Sequence, residues 1–187
     1  MFIVLIILFL ALSIDNYLVT NEKGANLKAL DFKTSLGYSL AFVICNLIAL
    51  FLAFEIDFLI DRDLNEALKL FLIVTPLVLN SFIFLSKAFN KKEVVERLDS
   101  NFNFGRCIYL AFISAFDTFL ASISLFLLGL DLFYLIPIAI LSAIISALVG
   151  LKVGNYYGAM YQRRLLAVAG IIYLLCAFWA CYYWVVL

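Results

Sequence analysis

The sequence predicts an all-α membrane protein in which six transmembrane helices form two inverted-topology three-helix repeats. Hydrophobic residues make up 67% of the 187 residues and only 14% are charged, and the mean hydropathy is +1.13. Soluble domains do not have this composition. Several nearly uncharged segments also have the length of about 20 residues that a helix needs to cross the bilayer. The third observation is a pair of aspartates, Asp15 and Asp117, that lie in similar apolar surroundings.

Each predicted helix is an apolar run that ends at polar or charged residues. The runs are apolar on every face instead of alternating, which indicates helices and not the strands of a membrane barrel. The predicted helices cover residues 2–20, 35–56, 67–89, 105–128, 132–152 and 164–187.

The first three helices differ in the polar residues that interrupt them. Helix 1 begins like a secretory signal, but no basic segment precedes it and it contains Asp15, so we expect it to be retained. Helix 2 contains Asn46 and helix 3 contains Asn80. An amide inside a membrane helix either supplies a carbonyl ligand or bridges two helices.

The last three helices follow a polar linker near residues 90–104, for which we predict a short amphipathic helix. This linker divides the chain into halves at 1–95 and 96–187. Helix 4 contains Asp117 near its middle. Helix 5 carries a small residue at every fourth position from Ser142 to Gly154, continued by Gly158 just beyond the helix. Such a stripe indicates close helix packing or, alternatively, a sliding surface. Helix 6 ends in the aromatic cluster "FWACYYW", which is typical of a membrane interface.

The basic residues predict the orientation of the chain. Most of the 13 Lys and Arg residues fall in the loops that follow helices 1, 3 and 5. Cytoplasmic loops carry an excess of Lys and Arg, so these loops should be cytoplasmic and both termini should lie outside the cytoplasm.

The two aspartates predict how the halves are related. "ALSIDNYLV" around Asp15 and "ISAFDTFLAS" around Asp117 share an aspartate followed by a small polar residue, an aromatic residue and leucine. Each motif lies on the first helix of its half, and three is an odd number of crossings, so the second half enters the membrane from the opposite face. Transporters built this way hold their substrate between the halves. Within the predicted helices, Asp117 lies near the middle and Asp15 lies nearer the cytoplasmic end.

A carboxylate at the centre of a membrane helix costs about 2.5 to 3.5 kcal/mol, so two of them indicate a function. Taken alone, Asp15 could instead reach the headgroup region or pair with a lysine of the next loop. The chain has no histidine, and its four cysteines form no CxxC pair. The available ligands are therefore oxygens, which suit divalent cations such as Mn²⁺, Mg²⁺ or Ca²⁺. The predicted metal-binding residues are Asp15, Asp117, Asn46, Ser114 and Thr118.

The chain resembles the MntP-type manganese efflux pumps, which are bacterial inner-membrane proteins in the wider LysE-like group of exporters. "ALSIDNYLV" and "ISAFDTFLAS" are similar to the motifs of that family's first and fourth helices, and "GLKVGNYYG" with "LLAVAGIIYLL" is similar to its Gly-spaced stretch and last helix. The resemblance implies six helices in two inverted repeats, export of Mn²⁺ and a location in the bacterial inner membrane. It also places the two motif aspartates of the family at Asp15 and Asp117.

The chain departs from the family pattern in helix 2, where "FVICNLIALF" has Asn46 at the place of an acidic residue and contains no Gly or Pro. We expect a secondary transporter that exports a divalent cation, preferentially Mn²⁺, by alternating access, with proton exchange as one way to couple the transport. The expected partners are the cation, the lipid bilayer and a second copy in a homo-oligomer. We expect no enzymatic activity, no resident cofactor and no nucleic acid.

Three alternatives stay open. One is a LysE-type exporter of small solutes such as amino acids, although a substrate carboxylate would be repelled by two aspartates. Another is a membrane scaffold that transports nothing. A thiol-disulfide electron carrier would need a cysteine on the first helix of each half, and predicted helix 1 has none.

Overall fold

A computed structural model of the chain shows six α-helices. It describes residues 2–27, 31–60, 65–89, 104–158 and 162–186, with side chains from residue 13 to residue 184 within those ranges except at residue 162. The helices are α1 (Phe2–Asn26), α2 (Phe32–Leu59), α3 (Glu66–Phe89), α4 (Phe104–Leu127), α5 (Leu132–Tyr157) and α6 (Gln162–Val186). Five of them, α2 to α6, are long and apolar enough to cross a membrane. The all-helical prediction is confirmed, whereas the predicted amphipathic helix of the linker lies outside the described residues.

Helix α1 ends later than the sequence predicts, at Asn26 instead of residue 20. Polar residues such as Asn21 resemble the start of a loop, but α5 packs against this part of α1. The side-chain amide of Asn155 on α5 donates a hydrogen bond to the carbonyl of Leu27 at 2.9 Å, and this satisfies a backbone group at the end of the helix.

The extra turns change the position of Asp15. Phe2–Asp15 and Phe104–Asp117 each span 14 residues, so the two aspartates lie equally far along α1 and α4. The expectation that Asp15 lies nearer one end of its helix was wrong, because the prediction ended α1 too early.

The small-residue stripe of α5 packs closely against α1. A Cβ atom at Gly154 would meet the backbone carbonyl of Asn21, and one at Gly150 would meet the side chain of Thr20. A Cβ atom at Gly24 on α1 would in turn meet the backbone of Leu151. The stripe is therefore a close-packing surface in this structure. Helix α5 ends at Tyr157, and Gly158 follows it with a φ of +72°, which glycine adopts readily. The prediction that Gly158 lies beyond the helix is confirmed.

The principal helix contacts join the two halves of the chain. Helix α1 packs on α5, α2 on α4 and α3 on α6, and smaller contacts join α2 to α5, α3 to α4, α1 to α6 and α1 to α4. Each of these pairs combines one helix from α1 to α3 with one from α4 to α6. Within the described ranges, the halves are thus interleaved, and residues on α1 and α4 are brought together inside the bundle.

The interior of the bundle is formed mainly by apolar side chains in two clusters. One contains Phe84 and Tyr173, and the other contains Phe42. Three of the four free cysteines are buried in these clusters, Cys176 in the first and Cys45 and Cys107 in the second. These thiols therefore pack as small apolar residues.

We predict that Gly154→Ala lowers the stability of the protein by about 1–3 kcal/mol, because the new methyl group would force two helix backbones apart. Thermal unfolding in detergent micelles measures the effect. Gly170→Ala is the comparison and should lower stability less, since the added Cβ there would lie 2.8 Å from Leu85 Cγ and 3.2 Å from the carbonyl of Ser81, whereas at Gly154 it would overlap the helix backbone itself. Equal unfolding temperatures for Gly154→Ala and wild type would contradict the packing described for α1 and α5.

Candidate functional site

Asp15 and Asp117 meet inside the bundle, and the ammonium group of Lys87 lies between them. Only 4% of Asp15 and 3% of Asp117 is exposed. Lys87 Nζ lies 3.7 Å from Asp15 Oδ1 and 3.5 Å from Asp117 Oδ2. Helices α1, α3 and α4 therefore bring two carboxylates and one ammonium group into a single buried cluster, which we call the acidic pair site.

Ser114 holds the second oxygen of Asp15. It lies on α4 one turn before Asp117, and its hydroxyl donates a hydrogen bond to Asp15 Oδ2. The same hydroxyl oxygen lies 2.8 Å from Asn16 Oδ1. A hydroxyl has one proton to donate, so it serves one of these acceptors at a time. This contact fixes Asp15 against α4 and leaves its Oδ1 atom facing Lys87.

Thr118 and Asn46 form a second polar contact beside the acidic pair site. The hydroxyl of Thr118 donates to Asn46 Oδ1 at 2.9 Å, and both residues are buried. Thr118 directly follows Asp117 in α4, so this hydrogen bond connects α2 to the helix that carries the second aspartate.

Asn80 of α3 contacts the backbone at Asp117. Its side-chain amide donates to the Asp117 carbonyl at 3.0 Å, whereas its buried Oδ1 atom has no hydrogen-bond partner within the described part of the chain. The amide therefore bridges two helices, as one interpretation of the sequence allowed, and it still has a free oxygen for a water molecule or an ion.

Lys87 packs against the aromatic ring of Phe84, which in turn stacks on a second ring. Its Nζ atom lies 5.1 Å from the centroid of the Phe84 ring, a distance at which a cation is attracted to the ring face. Phe84 stacks on Tyr173 of α6 with 5.4 Å between the ring centroids. The side chain of Lys87 is 45% exposed, so the acidic pair site opens to the surface at the end of α3.

The structure places the five residues of the predicted site in two sets of contacts. Asp15 contacts Ser114 directly, Asp15 and Asp117 share Lys87, and Thr118 contacts Asn46. Sequence reasoning missed Lys87 as a member of the site, because it was counted among the basic residues of a loop. A signal was available, since Lys87 lies within predicted helix 3 and on the same helical face as Asn80 and Phe84.

The ligands offered by the acidic pair site are oxygens. Among the described residues, no group of three His, Cys, Asp or Glu side chains could hold a metal ion. The site instead combines two carboxylates with the hydroxyl and amide oxygens of neighbouring residues, a set that suits hard divalent cations. Together the two carboxylates carry the charge that would balance one divalent ion.

Comparison with known proteins gives one finding. A family model described as "Putative manganese efflux pump" matches residues 31–180, which is more than half of the chain. The matched range includes Asn46, Lys87 and Asp117, whereas Asp15 precedes it. No curated protein and no solved structure matches the chain.

We predict that Thr118→Val lowers the stability of the protein by about 1–3 kcal/mol, because it leaves the buried oxygen of Asn46 without a donor. Thr118→Ser keeps the hydroxyl and is the matched control. Unfolding of the purified variants by SDS titration in mixed micelles measures the difference. If Thr118→Val and Thr118→Ser unfold at the same detergent fraction, the hydrogen bond contributes nothing to stability.

Proposed function

Because this chain belongs to the family of manganese efflux pumps, we propose that it exports Mn²⁺ from the cytoplasm by alternating access. The observation that carries the proposal is the acidic pair site, in which Asp15 and Asp117 are buried side by side within a helical membrane protein. Burying carboxylates is unfavourable unless they bind a cation or another partner, and two of them provide the charge to bind a divalent ion.

In this proposal Asp15 and Asp117 are the principal ligands of the ion. Ser114 orients Asp15 and adds a hydroxyl oxygen. Thr118 and Asn46 are accessory ligands, and one of them exchanges its present hydrogen bond for the ion. Water molecules complete the coordination shell, because hard divalent cations take six or more oxygen ligands.

The proposed transport cycle uses two three-helix repeats of opposite orientation, residues 1–95 and 96–187. The helix pairing supports this, because exchanging α1 with α4, α2 with α5 and α3 with α6 reproduces the same set of contacts. The equal position of Asp15 and Asp117 along their helices supports it too. Rocking of such repeats about a central site exposes the ion to each side of the membrane in turn.

We propose that the loops after α1, α3 and α5 are cytoplasmic and that both termini lie outside the cytoplasm, in a bacterial inner membrane. Lys87 lies in the last turn of α3, so its exposed side chain would mark the cytoplasmic entrance of the acidic pair site. Return of the empty transporter can use protons as replacement cations on the carboxylates, which is the exchange that the sequence suggested.

A second candidate function is export of an amino acid, and Lys87 is the observation that favours it. A site that holds both an ammonium group and carboxylates could bind the two charged groups of a zwitterion. Export from liposomes separates the two candidates when it is measured once with Mn²⁺ and once with amino acids inside the vesicles.

We predict that Asp15→Asn and Asp117→Asn each slow Mn²⁺ export by about tenfold or more, because each removes a charged ligand. The measurement uses purified protein in liposomes loaded with Mn²⁺ and follows the loss of the ion across the membrane.

The matched control is Asp131→Asn, which makes the same change at an exposed residue preceding α5. Export by both site variants at the wild-type rate would remove Asp15 and Asp117 from the transport site. Export of amino acids but not of Mn²⁺ by the wild type would replace the proposed function with the second candidate.

A further inference from the structure

We propose that Lys87 is a tethered counter-ion that competes with the transported cation for Asp15 and Asp117. Its ammonium group lies within 3.7 Å of Asp15 Oδ1 and 3.5 Å of Asp117 Oδ2. This inference rests on the proposed function, since it concerns the same site, but it assigns a role to a residue that is not itself an ion ligand.

The ammonium group of Lys87 faces the oxygens that an ion would bind. Ser114 already donates a hydrogen bond to Asp15 Oδ2, so Oδ1 is the oxygen of Asp15 that faces Lys87 and is the more available to an ion. That atom and Asp117 Oδ2 both face Lys87 Nζ. An ion that bridged the two carboxylates at the usual metal–oxygen distances of about 2.0–2.6 Å would take over both oxygens that now face the ammonium group. The two cations therefore compete for the same two oxygens.

Lys87 is held weakly enough to leave the acidic pair. Its distances to both carboxylates exceed the roughly 2.7–2.9 Å of a strong charge-assisted hydrogen bond. The ammonium group is thus shared between two acceptors instead of being bonded tightly to one. The side chain is 45% exposed and lies in the last turn of α3, so a change of rotamer can carry the charge towards the surface.

A divalent ion balances the charge of the two aspartates, and Lys87 alone does not. One ammonium group leaves the two carboxylates with one uncompensated negative charge, whereas a divalent cation compensates both. If the ion and Lys87 occupied the site together, the cluster would instead carry an excess positive charge in an apolar bundle. A divalent ion therefore replaces the ammonium group. A monovalent ion carries the same charge as the ammonium group and so has no such electrostatic advantage over it.

The consequence for transport is that the acidic pair is never left without a cation. Lys87 withdraws as the ion enters and returns as the ion leaves, which assists release and lets the empty site change its orientation. The cost is a lower affinity, since the fraction of molecules whose site is open for the ion is reduced.

We predict that Lys87→Gln binds Mn²⁺ about tenfold more tightly than wild type, because the competing cation is removed. Titration calorimetry with MnCl₂ on the purified protein in lipid nanodiscs measures the dissociation constant. Lys152→Gln removes the same charge from an exposed position on α5 and is expected to bind like wild type. The sign of the change separates this role from a merely structural one, because a lysine that only positions the aspartates would weaken binding when it is removed.

Lys87→Arg provides a second variant that keeps the charge if Lys87→Gln does not fold. A guanidinium group binds carboxylates with two parallel hydrogen bonds, so we expect Lys87→Arg to bind Mn²⁺ several-fold more weakly than wild type. Unchanged or weaker binding by folded Lys87→Gln, or unchanged binding by Lys87→Arg, overturns the tethered counter-ion.

If neither wild type nor Lys87→Gln binds Mn²⁺, the proposed function itself is wrong and the inference falls with it. Binding by Lys87→Gln alone would support the counter-ion and argue against Mn²⁺ as the exported substrate.

Discussion

The burial of two carboxylates next to each other is the constraint on which the rest of this structure depends. An isolated carboxylate in an apolar interior is unfavourable, and two adjacent ones also repel each other. Two interactions offset this unfavourable free energy. The hydroxyl of Ser114 donates a hydrogen bond to one oxygen of Asp15, and the ammonium group of Lys87 lies between the two carboxylates. These groups come from α1, α3 and α4, so the three helices must converge at one depth for the acidic pair to be tolerated at all.

The depth of Asp15 is set by a helix that contributes nothing to the site. Gly150 and Gly154 of α5 allow the backbone of α1 to approach closely, and the amide of Asn155 holds the end of α1. These contacts hold α1 in its present register against α5 and so determine how far α1 extends into the bundle. They therefore also fix the level at which Asp15 faces Asp117. The geometry of the acidic pair therefore depends on the close packing of α1 against α5, although the two lie at different places along α1.

Much of this arrangement could be predicted from the sequence. The features that could not be predicted were missed for one physical reason. Apolar runs of membrane length determine the helices, and the repeated motif identifies Asp15 and Asp117, since both signals are local. The late end of α1 and the role of Lys87 depend on contacts between distant segments. Asn21 is polar and so resembles a loop residue until α5 covers it, and Lys87 resembles a loop cation until the length of its side chain lets it reach between two carboxylates.

The neutral side chain of Asn46 and the positive charge of Lys87 are related through the charge balance of the acidic pair site. The motif resemblance places an acidic residue in the second helix where this chain has Asn46, whose oxygen accepts a hydrogen bond from Thr118 beside the acidic pair. A third carboxylate there would leave negative charge in the site even with a divalent ion bound, so charge balance alone would not expel the ammonium group. With an amide at that position, the divalent ion balances Asp15 and Asp117 by itself, and any further positive charge is in excess. The neutral oxygen of Asn46 thus adds a charge requirement to the competition for the carboxylate oxygens, and the two together make the exported ion and Lys87 alternate in the proposed cycle.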